Sequence, residues 1–240
     1  MFQGIQAVGN AHAKKMSYLF FKKGLKKRCY WCSEDDRKEL TDDHLPPDSI
    51  FPKEDREGLQ LITVTLCKKC ETLHHMSGDD NNFLRHMHLW ASMRSGSDIS
   101  RNLEECVKYS SFTKGEKIVQ AEYLPVELSN GKIVQYPILK GGKEGILRVL
   151  DSIARGFYYR MKGEVIPEDV SPDFEFRPKG SYNPPINILT RMPPNVVKKH
   201  VFEFETNIYR KDTFRFLCWE FKFYNLDPLP IYYSYDINEQ

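Results

Sequence analysis

No apolar run in this chain approaches the ~20 residues that span a bilayer, which excludes a helical membrane protein. Near the N-terminus there is no clean apolar segment ahead of a small-residue cleavage site, so no secretory signal is expected. The two absences together point to a cytoplasmic protein with no membrane partner. Internal repeats are also lacking, which argues against a solenoid. The run Lys140-Gly141-Gly142-Lys143-Glu144-Gly145 resembles a phosphate-binding turn but lacks the Walker spacing, and it reads better as the start of a helix. Acidic residues are missing altogether from Met1 to Arg28.

That acid-free stretch carries Lys14, Lys15, Lys22, Lys23, Lys26, Lys27 and Arg28, although the whole chain has a net charge of only +2. A basic run of this kind can neutralise phosphates, with Lys22, Lys23, Lys26, Lys27 and Arg28 as candidate nucleic-acid contacts. The plainer reading is a solvated helix face or arm. Hydrophobic content of 40 % and charged content of 28 % are ordinary for a globular protein, so composition excludes a disordered chain.

Cysteine is scarce, with six among 240 residues, but four of them are arranged. Cys29-Tyr30-Trp31-Cys32 and Cys67-Lys68-Lys69-Cys70 form two Cys-x-x-Cys pairs. In a reducing compartment such pairs suggest a metal rather than disulfides. Zinc takes four tetrahedral thiolate or imidazole ligands, and Cys29, Cys32, Cys67 and Cys70 supply four. A redox dithiol is the rival reading, and the occurrence of the pairs as a set argues against it. Cys106 and Cys218 read as buried, inert thiols.

The remaining pattern is that of an α+β protein. Leu59 to Leu66 is β-branched and strand-like, and Asp42 to Pro52 is proline-rich and extended. A helical pattern follows Cys70, with Phe83, Met87, Trp90 and Ala91 on one face and Ser77 and Asp79 as caps. Lys117 to Leu128 and Lys132 to Leu139 form a predicted hairpin about Asn130-Gly131. Lys143 to Lys162 is a predicted amphipathic helix with Ile146, Val149, Leu150, Ile153 and Phe157 on one stripe, stopped by Gly163. Val170 to Pro194 reads as a long loop. An antiparallel meander is expected from Val196–Tyr209, Thr213–Tyr224 and Leu229–Ile237, with turns at Arg210–Asp212 and Asn225–Pro228.

Between the cysteine pairs lies Thr41-Asp42-Asp43-His44-Leu45-Pro46-Pro47, then the strand from Leu61 to Leu66. This order resembles the HNH endonuclease family in its zinc-finger-containing branch. The shared pattern is a Cys-x-x-Cys, an acid-His-x-Pro-Pro tract, a strand, and a second Cys-x-x-Cys leading into a helix. Arg155-Gly156-Phe157-Tyr158-Tyr159-Arg160 and the aromatic C-terminal strands are similar to the back half of such proteins, but the specific resemblance covers about the first hundred residues.

The resemblance implies a treble-clef-like zinc finger with a ββα-metal core, followed by an α+β module with an antiparallel C-terminal sheet. It implies a basic arm over 1–28, a zinc-stabilised nuclease module over 29–96 and an accessory module over 97–240 for docking substrate or partner. His44 would be the general base, since a histidine titrates near ~6.5. Asp43 would bind a catalytic Mg²⁺ or Mn²⁺ from the other side of the strand. Glu71 stands where the family's helix usually offers Asn or His; it and His75, four residues on, could share one ion. His74 points elsewhere, and His86 and His88 read as surface or core residues. Gln60 stands near the family's middle Asn and can make similar amide bonds. The implied activity is phosphodiester cleavage of nucleic acid, with double-stranded DNA as substrate and 5′-phosphate and 3′-hydroxyl products. By analogy it extends to a phage-defence effector working with a partner ATPase or sensor. The alternative is a catalytically inactive zinc-finger module that binds nucleic acid or a partner protein.

Overall fold

The computed structural model describes residues 24–51, 56, 61–74, 79–80, 83–84, 86–87, 121–127, 130–139, 142–174, 195–198, 201–224, 226 and 229–237. Strand β1 (Leu40–Leu45) and strand β2 (Ile62–Cys67) form an antiparallel hairpin in which Asp43 faces Val64 and His44 faces Thr63. Pro46 and Pro47 end β1, and a short 3-10 turn follows at Asp48–Ile50. Helix α1 (Lys68–His74) begins directly after β2. Asp79, Asp80, Phe83, Leu84, His86 and Met87 are also helical.

Strands β3 (Ala121–Glu127) and β4 (Ile133–Leu139) form the second hairpin. Its turn is closed by Asn130, whose side-chain oxygen accepts from the Lys132 amide. Gly131 takes φ +76°, a conformation open to glycine at little steric cost. Helix α2 (Gly142–Lys162) comes next, and Gly163 caps it at φ +73° with its amide bonded to the Tyr159 carbonyl. The expected helix and hairpin are both present.

The last layer is a five-stranded antiparallel sheet. It contains β5 (Asp173–Phe174), β6 (Asn195–Lys198), β7 (Phe202–Lys211), β8 (Phe214–Phe223) and β9 (Leu229–Asp236) in the order β5-β9-β8-β7-β6. The meander is as expected, with two differences. Val196 to Tyr209 is not one strand: the chain reverses so that Lys198 pairs with Phe202. The turn expected at Arg210–Asp212 sits at Asp212-Thr213, because Asp212 adopts φ +50° while Arg210 and Lys211 stay in the ladder. The expected loop from Val170 also contributes β5, which pairs with β9.

Helix α2 lies between the first hairpin and this sheet. On the sheet side, Phe157 meets Phe204 at 4.6 Å between ring centres and Trp219 at 6.0 Å. On the hairpin side, Gly156 approaches so closely that a Cβ there would lie 1.9 Å from Leu45 Cδ1. The sequence suggests one apolar stripe, yet every residue from Asp151 to Tyr159 is buried. A helix enclosed on both sides must bury its polar positions too, and here those are Asp151, Ser152 and Arg155. One hydrophobic cluster runs from Cys29 through α2 to Tyr233 and joins the N-terminal knuckle to the C-terminal sheet.

Candidate metal centre and the Asp43–His44 strand

The Sγ atoms of Cys29, Cys32, Cys67 and Cys70 all lie within 4.8 Å of one another. Local backbone bonding builds this cluster. The Cys29 amide bonds the Glu34 carbonyl at 2.7 Å, and the Ser33 amide bonds the Cys29 carbonyl at 3.0 Å, with Ser33 at φ +67°. The Tyr30 amide bonds the Thr65 carbonyl at 2.9 Å, which stitches the first knuckle to β2. The second knuckle is the junction of β2 and α1.

The donor set fits zinc. Tetrahedral ligands at a Zn–S distance near ~2.3 Å stand about 3.8 Å apart, and Cys32 Sγ and Cys67 Sγ are 3.7 Å apart. Backbone amides of Trp31 and Cys70 donate to Cys29 Sγ and Cys67 Sγ, each at 3.4 Å, an arrangement that suits negative sulfur. Burial pushes the Cys32 thiol up to about 11 and Cys70 well above the ordinary thiol range, with neighbouring sulfurs adding to Cys70. Burial acts the same way on Cys67, but the Cys70 amide and the adjacent thiols outweigh it and lower that group. The Cys32 and Cys70 sulfurs therefore resist becoming thiolates, and a divalent cation supplies the missing charge. Cys218 is buried and forms no disulfide; Cys106 lies outside the described residues.

Strand β1 presents its two residues to opposite sides. His44 is exposed and lies opposite exposed Thr63. Asp43 is half-buried on the face shared with Leu45 and Val64. Its Oδ2 accepts a hydrogen bond from the Tyr30 hydroxyl at 3.3 Å. Tyr30 is fully buried, and its hydroxyl also shares a hydrogen bond with Ser152 of α2. Burial, reinforced by the Asp43 charge, raises the Tyr30 hydroxyl well above its ordinary value and keeps it a donor.

Glu71 is exposed on α1, while His75 and Gln60 lie outside the described residues. His74 is stacked on Trp31, 3.9 Å between ring centres at 13°. His86 is fully buried, and His88 lies outside the described residues. Asp79 is helical and forms a two-point ion pair with Arg148, at 2.7 and 2.8 Å. Among the described residues, the cysteine group is the only one of three or more such side chains close enough to hold a metal.

Of the basic run, Lys26, Lys27 and Arg28 are described, and Lys22 and Lys23 are not. Lys26 is ion-paired with Asp35 and holds that carboxyl below the ordinary carboxylate range. Lys27 lies 3.5 Å from Asp42. Both pairs are exposed, and exposed pairs are weak enough to yield to a phosphate. Arg28 is engaged differently. It donates to the Gly163 carbonyl at 2.6 Å and lies over the Tyr159 ring, fastening the start of the knuckle to the end of α2.

The sequence reading missed the polar group behind the knuckle. Arg155 is buried and donates to Asp151 at 2.8 Å and to the carbonyls of Ile166, Pro167 and Val170. Tyr233 of β9 donates to Asp151 at 2.6 Å. Burial raises the Asp151 carboxyl above its ordinary value, opposed by the Arg155 charge and by the Tyr233 and Arg155 hydrogen bonds. The Arg155–Arg160 tract was visible as a motif; its polar residues gave no sign that they would be enclosed.

No protein family, curated protein or solved structure matches the chain. Among the described residues, no helix is long and apolar enough to cross a membrane.

Proposed function

We propose that the chain is a zinc-stabilised, HNH-type endonuclease that cleaves nucleic acid, with DNA as the preferred substrate. The observation that carries the reading is the four-cysteine cluster at the base of the hairpin, with Asp43 and His44 on opposite faces of its first strand and a helix leaving the second knuckle. Zinc at the cysteines would fix the hairpin without taking part in the chemistry.

His44 is the proposed general base. It is exposed, so a substrate phosphate and its attacking water can reach it, and a ring nitrogen would take the proton from that water. Asp43 offers a carboxylate oxygen, a hard donor suited to Mg²⁺ or Mn²⁺, and Glu71 on α1 is the second candidate. Such an ion keeps several waters, so one or two protein carboxylates suffice. When bound, it neutralises charge on the scissile phosphate and the leaving oxygen. Lys26 and Lys27, with their weak exposed pairs, are positioned to exchange Asp35 and Asp42 for phosphates.

The test is cleavage of supercoiled plasmid in Mg²⁺ or Mn²⁺ by the wild type and by His44→Ala. The expected result is cutting that the variant lacks. Equal cutting by both, or no cutting by the wild type, sinks the assignment.

One observation favours a second reading, a zinc-finger module that binds nucleic acid or a partner without cleaving. Asp43 belongs to no described group of three ligands. Salt-dependent DNA binding without cleavage is the outcome that selects it.

A further inference from the structure

We infer that Tyr30 is a positioning residue for Asp43: its hydroxyl, itself hydrogen-bonded to Ser152, fixes the carboxylate in the orientation that meets a divalent cation. The inference rests on the reading of Asp43 as a metal ligand and deepens it.

Four observations carry the argument. Asp43 shares its face of the hairpin with Leu45, Val64 and Ile62, all buried. A carboxylate there has given up part of its hydration, which costs free energy unless a specific contact replaces it. The Tyr30 hydroxyl supplies that contact at Oδ2. Tyr30 cannot drift from this position, because its ring is fully buried and its backbone amide is bonded to Thr65 on the neighbouring strand. Ser152, only 3 % exposed on α2, also hydrogen-bonds this hydroxyl. The carboxylate of Asp43 is therefore held from the knuckle and, one step back, from the central helix.

This arrangement has a chemical consequence. A carboxylate has about four acceptor sites on two oxygens, so the Tyr30 bond at Oδ2 does not by itself exhaust its acceptor capacity. Fixing the rotamer in advance removes an ordering cost that cation binding would otherwise carry. Hydrogen bonds that orient a metal ligand typically affect affinity by about 10–100-fold. The tyrosine also lies between two zinc ligands in sequence, so the proposed link runs directly from the zinc knuckle to the proposed catalytic carboxylate.

The experiment is a Mn²⁺ titration of the zinc-loaded full chain followed by electron paramagnetic resonance. It compares wild type, Asp43→Ala, Tyr30→Phe and Ser152→Ala, with zinc content and melting temperature measured on each. The expected result is one Mn²⁺ site in the wild type that Asp43→Ala abolishes and Tyr30→Phe weakens by about 10-fold or more. Ser152→Ala should weaken it less, and all variants should retain their zinc. Tyr30→Phe keeps the buried ring, so a fold effect should be small; Ser152→Ala serves as the second probe should it fail to fold. No Asp43-dependent Mn²⁺ in the wild type overturns the ligand reading and the inference with it. An Asp43-dependent site that neither Tyr30→Phe nor Ser152→Ala alters overturns the inference alone. Loss of zinc from Tyr30→Phe in step with loss of Mn²⁺ also overturns it, since the hydroxyl would then serve the knuckle and not Asp43.

Discussion

The Arg155 guanidinium lies over the face of Trp31, 4.6 Å from the ring centre. The same indole stacks on His74. Trp31 sits inside the first cysteine knuckle, His74 ends the helix that follows the second, and Arg155 belongs to the central helix. One ring thus connects both halves of the candidate zinc site to α2. Arg155 is anchored in turn by Asp151 and three backbone carbonyls, and Asp151 by Tyr233 of the last sheet.

Removing the charge of Arg155 should be costly. Arg155→Met leaves the carboxylate of Asp151 buried without its cation, and breaking a buried pair from one side typically costs about 3–5 kcal/mol. Replacing both partners, Asp151→Leu with Arg155→Met, should cost less than Arg155→Met alone, because no uncompensated charge remains. Urea denaturation of the two variants beside the wild type checks the order. If the double variant is the less stable, the ion pair is not what makes the site sensitive.

Zinc should be present at one ion per chain and should be needed for the hairpin. Structural zinc contributes to folding outright, because the unfolded chain has no preformed site. A strong chelator, or Cys67→Ser, should release the ion, lower the melting temperature and change the Trp31 environment. Metal analysis and tryptophan fluorescence on the same samples provide the check. Retention of full zinc content in Cys67→Ser would remove that residue from the site.

The packing of α2 on the first hairpin depends on Gly156. A methyl at that position would overlap the Cδ1 of Leu45, whose side chain is fully buried, so the leucine or the helix must shift. Gly156→Ala should therefore destabilise by about 1–3 kcal/mol, the usual cost of overpacking, despite the better helix propensity of alanine. Pairing it with Leu45→Val should cost less than the sum of the two single changes, since the valine withdraws the atom that clashes. Additivity within error would show that the two residues do not share the space.

What could be read from the sequence was what is local. Asn130-Gly131 names its turn because a φ above zero is needed there, and Gly163 names a helix end for the same reason. The cysteine spacing anticipates the cluster because two residues between ligands suit one ion. The alternation of Phe202, Phe204 and Ile208 anticipates β7, and apolar residues on both faces from Arg215 to Phe223 anticipate β8, but neither shows the reversal before Phe202, since Val196 to Tyr209 keeps its β-rich pattern across it. What could not be read was the enclosure of Asp151, Ser152 and Arg155. On a helix wheel they form a polar side that solvent should cover. Their partners, Tyr30 and Trp31 on one side and Tyr233 on the other, are about 80 or more residues away, and no local pattern reports a contact of that range.

The ion pair between Asp79 and Arg148 tests how burial divides the cost of a broken contact. Asp79 has a side chain only 9 % exposed, whereas Arg148 is 37 % exposed. Asp79→Ala frees an arginine that stays charged and can turn toward water, so the loss should be about 1 kcal/mol, near that of an ordinary hydrogen bond. Arg148→Ala instead leaves a buried carboxylate with no guanidinium, and the loss should be about 3 kcal/mol or more. The helical residues that follow Asp79 carry Phe83, which meets Phe223 of β8 at 4.9 Å, so the pair also helps to seat that contact. Denaturant unfolding of both single variants gives the two numbers. The reverse order, with Asp79→Ala the more damaging, would mean that Arg148 relies on the pair more than Asp79 does, and that exposure in the folded protein is a poor guide to which partner rehydrates.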